Sequence, residues 1–410
     1  KVIARGLPTG EEWKTHKKRS LSAAGIAACL VLSQTDHRVA VDLAELDAHP
    51  WELNTPAGIV DLRTGELGPA RRGRLHTRST TVAPDPNADL TPWLSFLDTT
   101  FQGDRDMIGF VQRLLGYGLV GEVREAILPV FHGSGANGKT VLLETVQQLL
   151  GDYATTAASK FFVAGPQQHP TEIAKLAGVR FVVVSETNEG ERFDEAKVKL
   201  LTGGDRLIAR FMRQDEFTFV PSHLFAMATN HPPEVSVGGS AFWRRVRLVP
   251  FNHTMPVDQR DPELVGRLVR EHGPAIMAWL VAGAAEYARV SLAEPDGVRR
   301  ATADYEASTD SVAQFIEARL LIGGGDGVKV RSADVRAAYE HWCRVEGETP
   351  IPPKSLTTRL TSGYPVTTFK GTGGVRFLTG VTLVNEPGND NEGVRFDPSQ
   401  ATRPTQGELL

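Results

Sequence analysis

An eight-residue stretch rich in glycine carries the residue types that hold phosphate groups. Residues 133–140 read GSGANGKT and fit the pattern GxxxxGK[ST]. Glycines let backbone N–H groups curve around phosphate oxygens, the lysine ammonium reaches the outer phosphates, and the threonine hydroxyl can ligate Mg²⁺. The apolar run AILPV precedes the stretch and the helical pattern VLLETVQQLLG follows it, as such a loop requires. We therefore predict that a nucleoside triphosphate binds at Gly133, Ser134, Gly135, Ala136, Asn137, Gly138, Lys139 and Thr140.

Two apolar runs downstream end in polar residues that would complete such a site. The run RFVVVSETNEG ends in acids, and Glu186 is favoured over Glu189 as the carboxylate that holds Mg²⁺ and polarises the attacking water. The competing interpretation is a solvated charge after a strand. The run HLFAMATN ends in Asn230, whose amide can position that water or sense the γ-phosphate. Taken alone, an asparagine in this position is more often a turn former.

A pair of arginines opens a further strand in GGSAFWRRVRLVPF. Arg244 or Arg245 can act as an arginine finger on the nucleotide of a neighbouring subunit, an effect of roughly 10³–10⁵ in rate. Standing alone, the pair would be interpreted as a solvated strand end. The phosphate loop, the acidic strand end, the amide strand end and the arginine pair together have the order and spacing of an AAA+-type ATPase core. An arginine supplied by a neighbour implies a ring.

The elements that must position these residues alternate between strand-like and helical segments. The runs AILPVF, RFVVVS, FTFVP and HLFAMAT lie among helical patterns over residues 125–252, which predicts an α/β core. Upstream, Ile108, Val111, Leu115 and Leu119 fall on one helical face. Downstream, residues 261–290 are predicted to be helical with a break at Gly273-Pro274.

The C-terminal section is similar to a winged helix, with three predicted helices and two strands around KGTGG. Its third helix carries Lys354 and Arg359, and its wing carries Lys370 and Arg376. These cations can contact a duplex, although such modules also dock proteins. The predicted domains are a mixed α/β region at 1–85, a helical collar at 86–122, the ATPase core at 123–300, the winged-helix-like domain at 301–385 and a disordered tail at 386–410.

Bulk properties exclude several classes of protein. The 410 residues predict two or three domains, and no apolar run approaches the ~20 residues of a membrane span. A net charge of −4 argues against a protein that coats polyanions along their length, but it is compatible with a local basic groove. Cys29 and Cys343 are predicted to be two buried free thiols in a reducing compartment. Because the first residue is Lys1, we expect a fragment that lacks an upstream domain.

The quoted motifs resemble those of the superfamily 3 helicases, and more specifically the phage and plasmid primase-helicase group related to the poxvirus primase-helicase. The resemblance rests on LNTPAGIVDLRTGEL, VQRLLGYGLVG, GSGANGKT, VSETNEGERFDEAKVKLLTGGD, ATNHPPEV and FWRRVRLVPF. It implies Walker A roles for Lys139 and Thr140, the Walker B carboxylate for Glu186 and the sensor for Asn230. Many relatives have two adjacent acids at the Walker B position, whereas here Thr187 follows Glu186.

The resemblance also implies a DNA-gripping hairpin between the acidic strand and the sensor strand. RLIARFM and EFTFVP are predicted to be two strands around RQD. In superfamily 3 helicases the hairpin in this place projects into the central channel of the ring. Arg213 would lie near its tip, with Arg210 and Lys199 in support, and each would offer a cation to backbone phosphates. The alternative is an ordinary surface hairpin.

The favoured function is an ATP- and Mg²⁺-dependent DNA helicase of a phage, prophage or plasmid replication system, expected to form a homo-oligomeric ring of six subunits. Its partners would be single-stranded and duplex DNA and an upstream primase-polymerase domain or primase, in the cytoplasm of a bacterial host and with no membrane. Three alternatives stay open: an ATPase switch or loader without unwinding activity, a small-molecule kinase, and a DNA-binding protein with a vestigial phosphate loop. No primase or zinc motif is found in the sequence.

Overall fold

A computed structural model describes residues 10–36, 39–165, 170–185, 190–235, 239–323, 327–348 and 350–384. The helices are α1 Glu11–Ser20, α2 Ala23–Ser33, α3 Thr91–Thr100, α4 Arg105–Tyr117, α5 Lys139–Leu150, α6 Pro170–Ala174, α7 Glu195–Leu201, α8 Ser240–Trp243, α9 Leu264–Val290, α10 Asp296–Thr309, α11 Ser311–Arg319, α12 Ser332–Glu346 and α13 Pro353–Gly363. The strands are β1 Glu52–Thr55, β2 Gly58–Asp61, β3 Leu67–Gly68, β4 Leu128–His132, β5 Ala154–Ala157, β6 Phe181–Ser185, β7 Leu207–Ala209, β8 Phe217–Phe219, β9 Leu224–Thr229, β10 Val246–Pro250, β11 Leu320–Ile322, β12 Lys329–Arg331, β13 Thr367–Lys370, β14 Arg376–Thr379 and β15 Val381–Leu383.

The centre of the fold is a parallel sheet of five strands in the order β10-β4-β9-β6-β5. Strands β4, β6 and β9 are buried along nearly their whole length, which explains why the sequence shows them as continuous apolar runs. The fold is therefore mixed α/β, as predicted. Because all five strands run in the same direction, their carboxyl ends lie at one edge of the sheet.

Helix α9 is continuous through Pro274, so the predicted break at Gly273-Pro274 is wrong. Packing on both sides of the proline holds the helix together. A Cβ on Gly273 would lie 2.9 Å from Leu149 of α5, and a Cβ on Gly283 would lie 2.2 Å from the Gln112 carbonyl oxygen of α4. Tertiary contact here overrides the local tendency of proline to end a helix.

Three hydrophobic clusters account for the interior of the described residues. The first runs from Trp51 to Val298 and packs the N-terminal sheet and α3–α4 against α5 and α9, so side chains pack across the predicted boundaries at 85 and 122. The second covers the other face of the central sheet. The third lies apart, between Val312 and Val381. Helix α10 spans the predicted boundary at residue 300.

A buried arginine joins the first cluster to the central sheet. Arg180, just before β6, is 3% exposed. Its guanidinium donates to the carbonyl oxygens of Leu119 at 2.7 Å and Glu52 at 2.9 Å, and it lies 4.5 Å from the centre of the Tyr153 ring. One cation therefore ties β1, the segment after α4 and the sheet together.

The N-terminal helices α1 and α2 pack against each other. Helix α2 has no buried residue, although it consists mainly of apolar side chains. Cys29 on this helix is exposed, which corrects the prediction of a buried thiol, whereas Cys343 is buried. Burial depends on a packing partner, and the contact with α1 does not bury any residue of α2. No helix in the described part of the chain has the length and apolar character needed to cross a bilayer.

The C-terminal section contains the predicted helices α11, α12 and α13 and the predicted strands β13 and β14. A three-stranded antiparallel sheet has the order β12-β14-β13, and β11 pairs with β15. Leu378 of β14 and Leu360 of α13 are both buried in the third cluster, so the sheet and the helices share one core. The predicted disordered tail at 386–410 lies outside the described residues.

Candidate functional site

The glycine-rich loop connects β4 to α5 at the carboxyl edge of the central sheet. Gly135 and Gly138 have φ angles of 99° and 89°, in the left-handed region that glycine adopts without strain. A Cβ on Gly133 would lie 2.1 Å from Asn137 Nδ2 and 2.3 Å from the Phe251 carbonyl oxygen. These positions require glycine, and the loop turns directly into the first residue of α5, Lys139.

The Lys139 ammonium is enclosed by protein oxygens, and its side chain is 5% exposed. It donates to the Gly133 carbonyl oxygen at 2.7 Å, to Asn137 Oδ1 at 3.0 Å and to Asn230 Oδ1 at 2.9 Å. Asn230 reaches it because β9 lies between β4 and β6 and ends at the same edge. The structure thus brings together the lysine and the amide that the sequence analysis had selected separately.

Asn137 braces the loop from inside. Its Oδ1 accepts from Lys139, and its Nδ2 donates to the Phe251 carbonyl oxygen at 3.2 Å. The chain after β10 adds two backbone bonds, from Phe251 N to His132 O at 2.7 Å and from Met255 N to Ala136 O at 2.8 Å. The sequence analysis placed Asn137 among the phosphate contacts and missed Phe251, because the partner lies 114 residues away.

The loop has the donors that a chain of phosphates needs. The backbone N–H groups of Asn137, Gly138 and Thr140 donate to no carbonyl in the described part of the chain. They lie at the N-terminus of α5, where the helix dipole favours an anion. Thr140 is exposed in the first turn. The residues therefore fit a bound triphosphate with Mg²⁺.

A cavity of about 1010 Å³ reaches the base of the loop at His132. It is also lined by Gln102, Asn252 and His253, and the Gln102 amide lies 3.2 Å from His253 Nδ1. Burial lowers the pKa of His132, and the nearby Lys139 charge acts in the same direction. The lowered pKa favours the neutral form of His132 beside the Lys139 ammonium.

The acidic strand end falls partly outside the described residues. Strand β6 ends at Ser185, which pairs with Ala228 of β9 at the carboxyl edge. The predicted Mg²⁺ ligand Glu186 and the weaker candidate Glu189 lie outside the described residues. Their roles stay predictions.

The arginine pair lies at the opposite edge of the sheet from the loop. It precedes β10, which begins opposite Leu128 and ends opposite His132, a span of about 13 Å at ~3.3 Å per residue. Arg245 is half-buried and donates to the Ala241 carbonyl oxygen, and burial lowers the pKa of its guanidinium. Arg244 is exposed, and its side chain makes no hydrogen bond or ion pair with any residue that the structure describes.

The predicted hairpin is present and is formed by β7 and β8. Its turn closes with a bond from Gln214 N to Phe211 O at 3.1 Å, and Arg213 lies at the tip with a φ of 61°. Arg210 and Arg213 are exposed. Lys199 lies on α7, where its ammonium is 4.0 Å from Glu195 Oε2.

The predicted cations of the C-terminal section differ in their surroundings. Lys354 on α13 and Lys370 and Arg376 on the hairpin are exposed. Arg359 donates to Asp310 Oδ1 at 2.6 Å, and Asp310 also caps α11. Arg359 is therefore engaged within the section, and the predicted role in duplex binding has to compete with this ion pair.

Comparison with known protein families gives two matches. Residues 2–102 match the family described as D5 N terminal like. Residues 131–245, which contain the glycine-rich loop and the arginine pair, match a family of unknown function (DUF5906).

Similar proteins come from viruses. "Putative helicase 022R" of Frog virus 3 is 27% identical over 259 residues, which are 58% of this chain and 26% of that protein. "Putative helicase 121R" of Invertebrate iridescent virus 3 is 22% identical over 332 residues, or 72% of this chain and 35% of that protein. "Putative primase C962R" of African swine fever virus is 19% identical over 322 residues, or 72% and 34%. The chain thus spans about a quarter to a third of the length of these relatives.

Among solved structures, one described as "The apo structure of NrS-1 C terminal region (305-718)" is similar to this chain. It aligns with a TM-score of 0.49 at 13% identity, over 74% of this chain and 78% of that one.

Proposed function

Because the chain belongs to the superfamily 3 primase-helicase group, we propose that it is the ATP-dependent motor of a DNA replication helicase. In this proposal the chain assembles as a ring, moves along single-stranded DNA and separates the duplex. The contact of 2.9 Å between Lys139 Nζ and Asn230 Oδ1 is the observation that carries the proposal.

That contact offers a physical route from nucleotide to strand. Phosphate oxygens would compete with Asn230 for the Lys139 ammonium, so the amide would be released when nucleotide is bound. Asn230 follows β9, and β9 is hydrogen-bonded to both β4 and β6. A movement of Asn230 would therefore be transmitted through β9 to β4, which leads to the loop, and to β6, which leads to the acidic segment.

ATP and Mg²⁺ would be held by groups of this loop and its neighbours. The N–H groups of Asn137, Gly138 and Thr140 would bind phosphate oxygens, with Lys139 as the cation. The Thr140 hydroxyl and the Glu186 carboxylate are the proposed metal ligands. When bound, Mg²⁺ supplies charge neutralisation on the phosphates.

The DNA track of the proposal combines two elements. Arg210 and Arg213 on the β7–β8 hairpin would contact backbone phosphates in the ring channel. The C-terminal section, with its order α11, β12, α12, α13, β13, β14 and its sheet order β12-β14-β13, supports a winged helix. The AAA+ assignment of the core is likewise part of the proposal, supported by the parallel sheet and its glycine-rich loop.

ATP turnover measured with and without single-stranded DNA tests the proposal. We expect turnover to rise when the strand is added and to disappear in Lys139→Ala, while Lys175→Ala, an exposed lysine on the same protein, behaves as the parent. A forked duplex with a labelled strand then separates the two candidate activities. A loader or switch would hydrolyse ATP without releasing the strand, and equal turnover in Lys139→Ala and the parent would refute the ATPase assignment.

A further inference from the structure

The outer face of the three-stranded sheet β12-β14-β13 carries two aromatic rings and two cations. The register places Arg331 opposite Phe377, and Phe377 opposite Phe369, so the three side chains share one face. Lys329 lies two residues before Arg331 on β12 and shares that face. Residues of the alternate set, such as Leu378, point into the third hydrophobic cluster. We call Lys329, Arg331, Phe369 and Phe377 the platform.

The two rings of the platform are held in a fixed arrangement at the surface. Their centroids are 5.2 Å apart and their planes differ by 17°, so they stack across the two strands. Phe369 is 40% exposed. The turn that follows fits closely around the other ring, since a Cβ on Gly371 would lie 2.8 Å from Phe377 Cε2. Two large apolar rings thus stay outside the core in a rigid geometry, an arrangement that favours a flat ligand.

The strands that carry the rings contain charges of one sign. The ammonium of Lys329 lies 5.9 Å from the centre of the Phe369 ring and 6.0 Å from that of Phe377. The strands β12, β13 and β14 contain no carboxylate, and of their four cations Lys329 and Arg331 share the face of the rings, whereas Lys370 and Arg376 belong to the alternate set. The whole chain carries a net charge of −4, so this local excess of positive charge is not a general property of the surface. A protein partner would explain the rings, whereas a polyanion with flat groups explains both the rings and the cations.

We propose that the platform binds single-stranded nucleic acid, with bases stacked on Phe369 and Phe377 and phosphates paired with Lys329 and Arg331. Aromatic side chains stack on bases only where the base faces are free, which excludes the interior of a duplex. The site is separate from the α13 cations predicted to contact duplex DNA, and it is not the β7–β8 hairpin. It extends the proposed function by adding a second place where an unpaired strand is held, and it does not depend on ATP hydrolysis.

Fluorescence anisotropy of the full chain without nucleotide tests the stacking. The probes are a labelled strand of about twenty thymidines and an abasic strand of the same length, longer than one site of ~4–16 nucleotides. We expect Phe369→Ala to weaken thymidine-strand binding by about fivefold or more and to leave the abasic strand nearly unchanged, because stacking on one ring is lost. Phe369→Trp should retain the preference for bases.

Charge variants and a cross-link complete the experiment. Lys329→Gln should weaken the binding of both the thymidine and the abasic DNA strand. Arg344→Gln, which removes an exposed cation on α12, should weaken the binding of neither. A strand containing 4-thiothymidine should cross-link to residues 367–379 in the parent and equally in Lys139→Ala, so this outcome is scored independently of ATP turnover. Unchanged thymidine binding in Phe369→Ala, or cross-links only at other segments, would overturn the proposal. If Phe369→Ala changes the mass of the assembly in solution and leaves DNA binding unchanged, the platform would be assigned to protein contact instead.

Discussion

At the scale of single residues, the loop is defined by which polar atoms face each other. Lys139, Asn137 and Asn230 form one connected set, and Phe251 supplies the carbonyl that fixes the asparagine. A buried ammonium is tolerated only where several oxygens surround it, because an unpaired buried charge is costly. The same oxygens therefore stabilise the buried ammonium, and a bound phosphate would have to compete with them for it.

Buried His223, which lies outside the candidate site, should make the free energy of unfolding depend on pH. Burial lowers the pKa of His223 to about 4, although a contact with the Leu201 backbone acts in the opposite direction. The unfolded chain takes up this proton near pH 6.5 and the folded chain near pH 4. The free energy of unfolding should therefore be fully retained above pH 6.5 and fall by about 3 kcal/mol as the pH drops to 4.

His223→Phe isolates this contribution, since the ring packs 4.7 Å from Phe225 and phenylalanine keeps an aromatic ring there. Urea unfolding of the parent and the variant at several pH values between 7 and 4 measures the difference. We expect the difference between the two free energies of unfolding to change with pH across this window. Parallel curves would show that the pKa of His223 is the same in the folded and the unfolded chain.

At the scale of elements, α4 and α9 meet backbone to backbone. A Cβ on Gly116 of α4 would lie 2.2 Å from Ala284 N, and a Cβ on Gly283 of α9 would lie 2.2 Å from the Gln112 carbonyl oxygen. Neither neighbour is a flexible side chain. The crossing therefore depends on glycine in both helices.

Gly283→Ala should lower the free energy of unfolding by about 2 kcal/mol or more, because the helices must separate to admit the methyl group. Gly109→Ala on α4 is the matched control, since its Cβ would meet only the flexible end of Arg113 at 3.3 Å. Alanine should be neutral or slightly stabilising there, given its higher helix propensity. Chemical denaturation of both variants measures the contrast, and equal losses would argue against the close crossing.

The sequence predicted correctly those elements that depend on residues close together in the chain. The glycine-rich loop, the β7–β8 hairpin and the helices α11 to α13 were all predicted from spacing, turn residues and periodicity. The strand β5 was missed because ATTA is short and only partly buried at the sheet edge. The continuity of α9 through Pro274 and the exposure of Cys29 were predicted wrongly, because each is decided by packing partners distant in the sequence. The contact between Lys139 and Asn230, 91 residues apart, depends on the strand order and not on either motif.

At the scale of the whole molecule, the separation of loop and arginines bears on assembly. Arg244 is exposed at the amino edge of the sheet, about 13 Å of strand away from the loop that it is proposed to serve. Within one chain, the two do not meet. Arg245 is partly buried and bonded to Ala241 of the preceding helix α8, so Arg244 is the stronger candidate for a finger offered to a neighbour.

Mixing two inactive variants tests this assignment. Lys139→Ala and Arg244→Ala should each lose ATP turnover, the second by roughly 10³-fold or more. A mixed ring contains interfaces in which an intact loop faces an intact arginine, so the mixture should recover part of the parental turnover. ATP turnover across mixing ratios, read beside the mass in solution, measures the effect. If no ratio restores activity, or if the parent hydrolyses ATP as a monomer at full rate, the finger does not act between subunits.

Arg180 limits how this chain can be divided or recombined. A shortened chain that began near residue 123 would lose the Glu52 and Leu119 carbonyls and would leave a guanidinium beside Tyr153 with both acceptors gone. Stranding a buried cation costs several kcal/mol, comparable to the whole stability of many domains. The segment matched to D5 N terminal like proteins and the segment with the glycine-rich loop would therefore be inherited as a unit. Because both acceptors are backbone carbonyl oxygens, an exchanged segment would satisfy Arg180 only if its main chain followed the same path at positions 52 and 119.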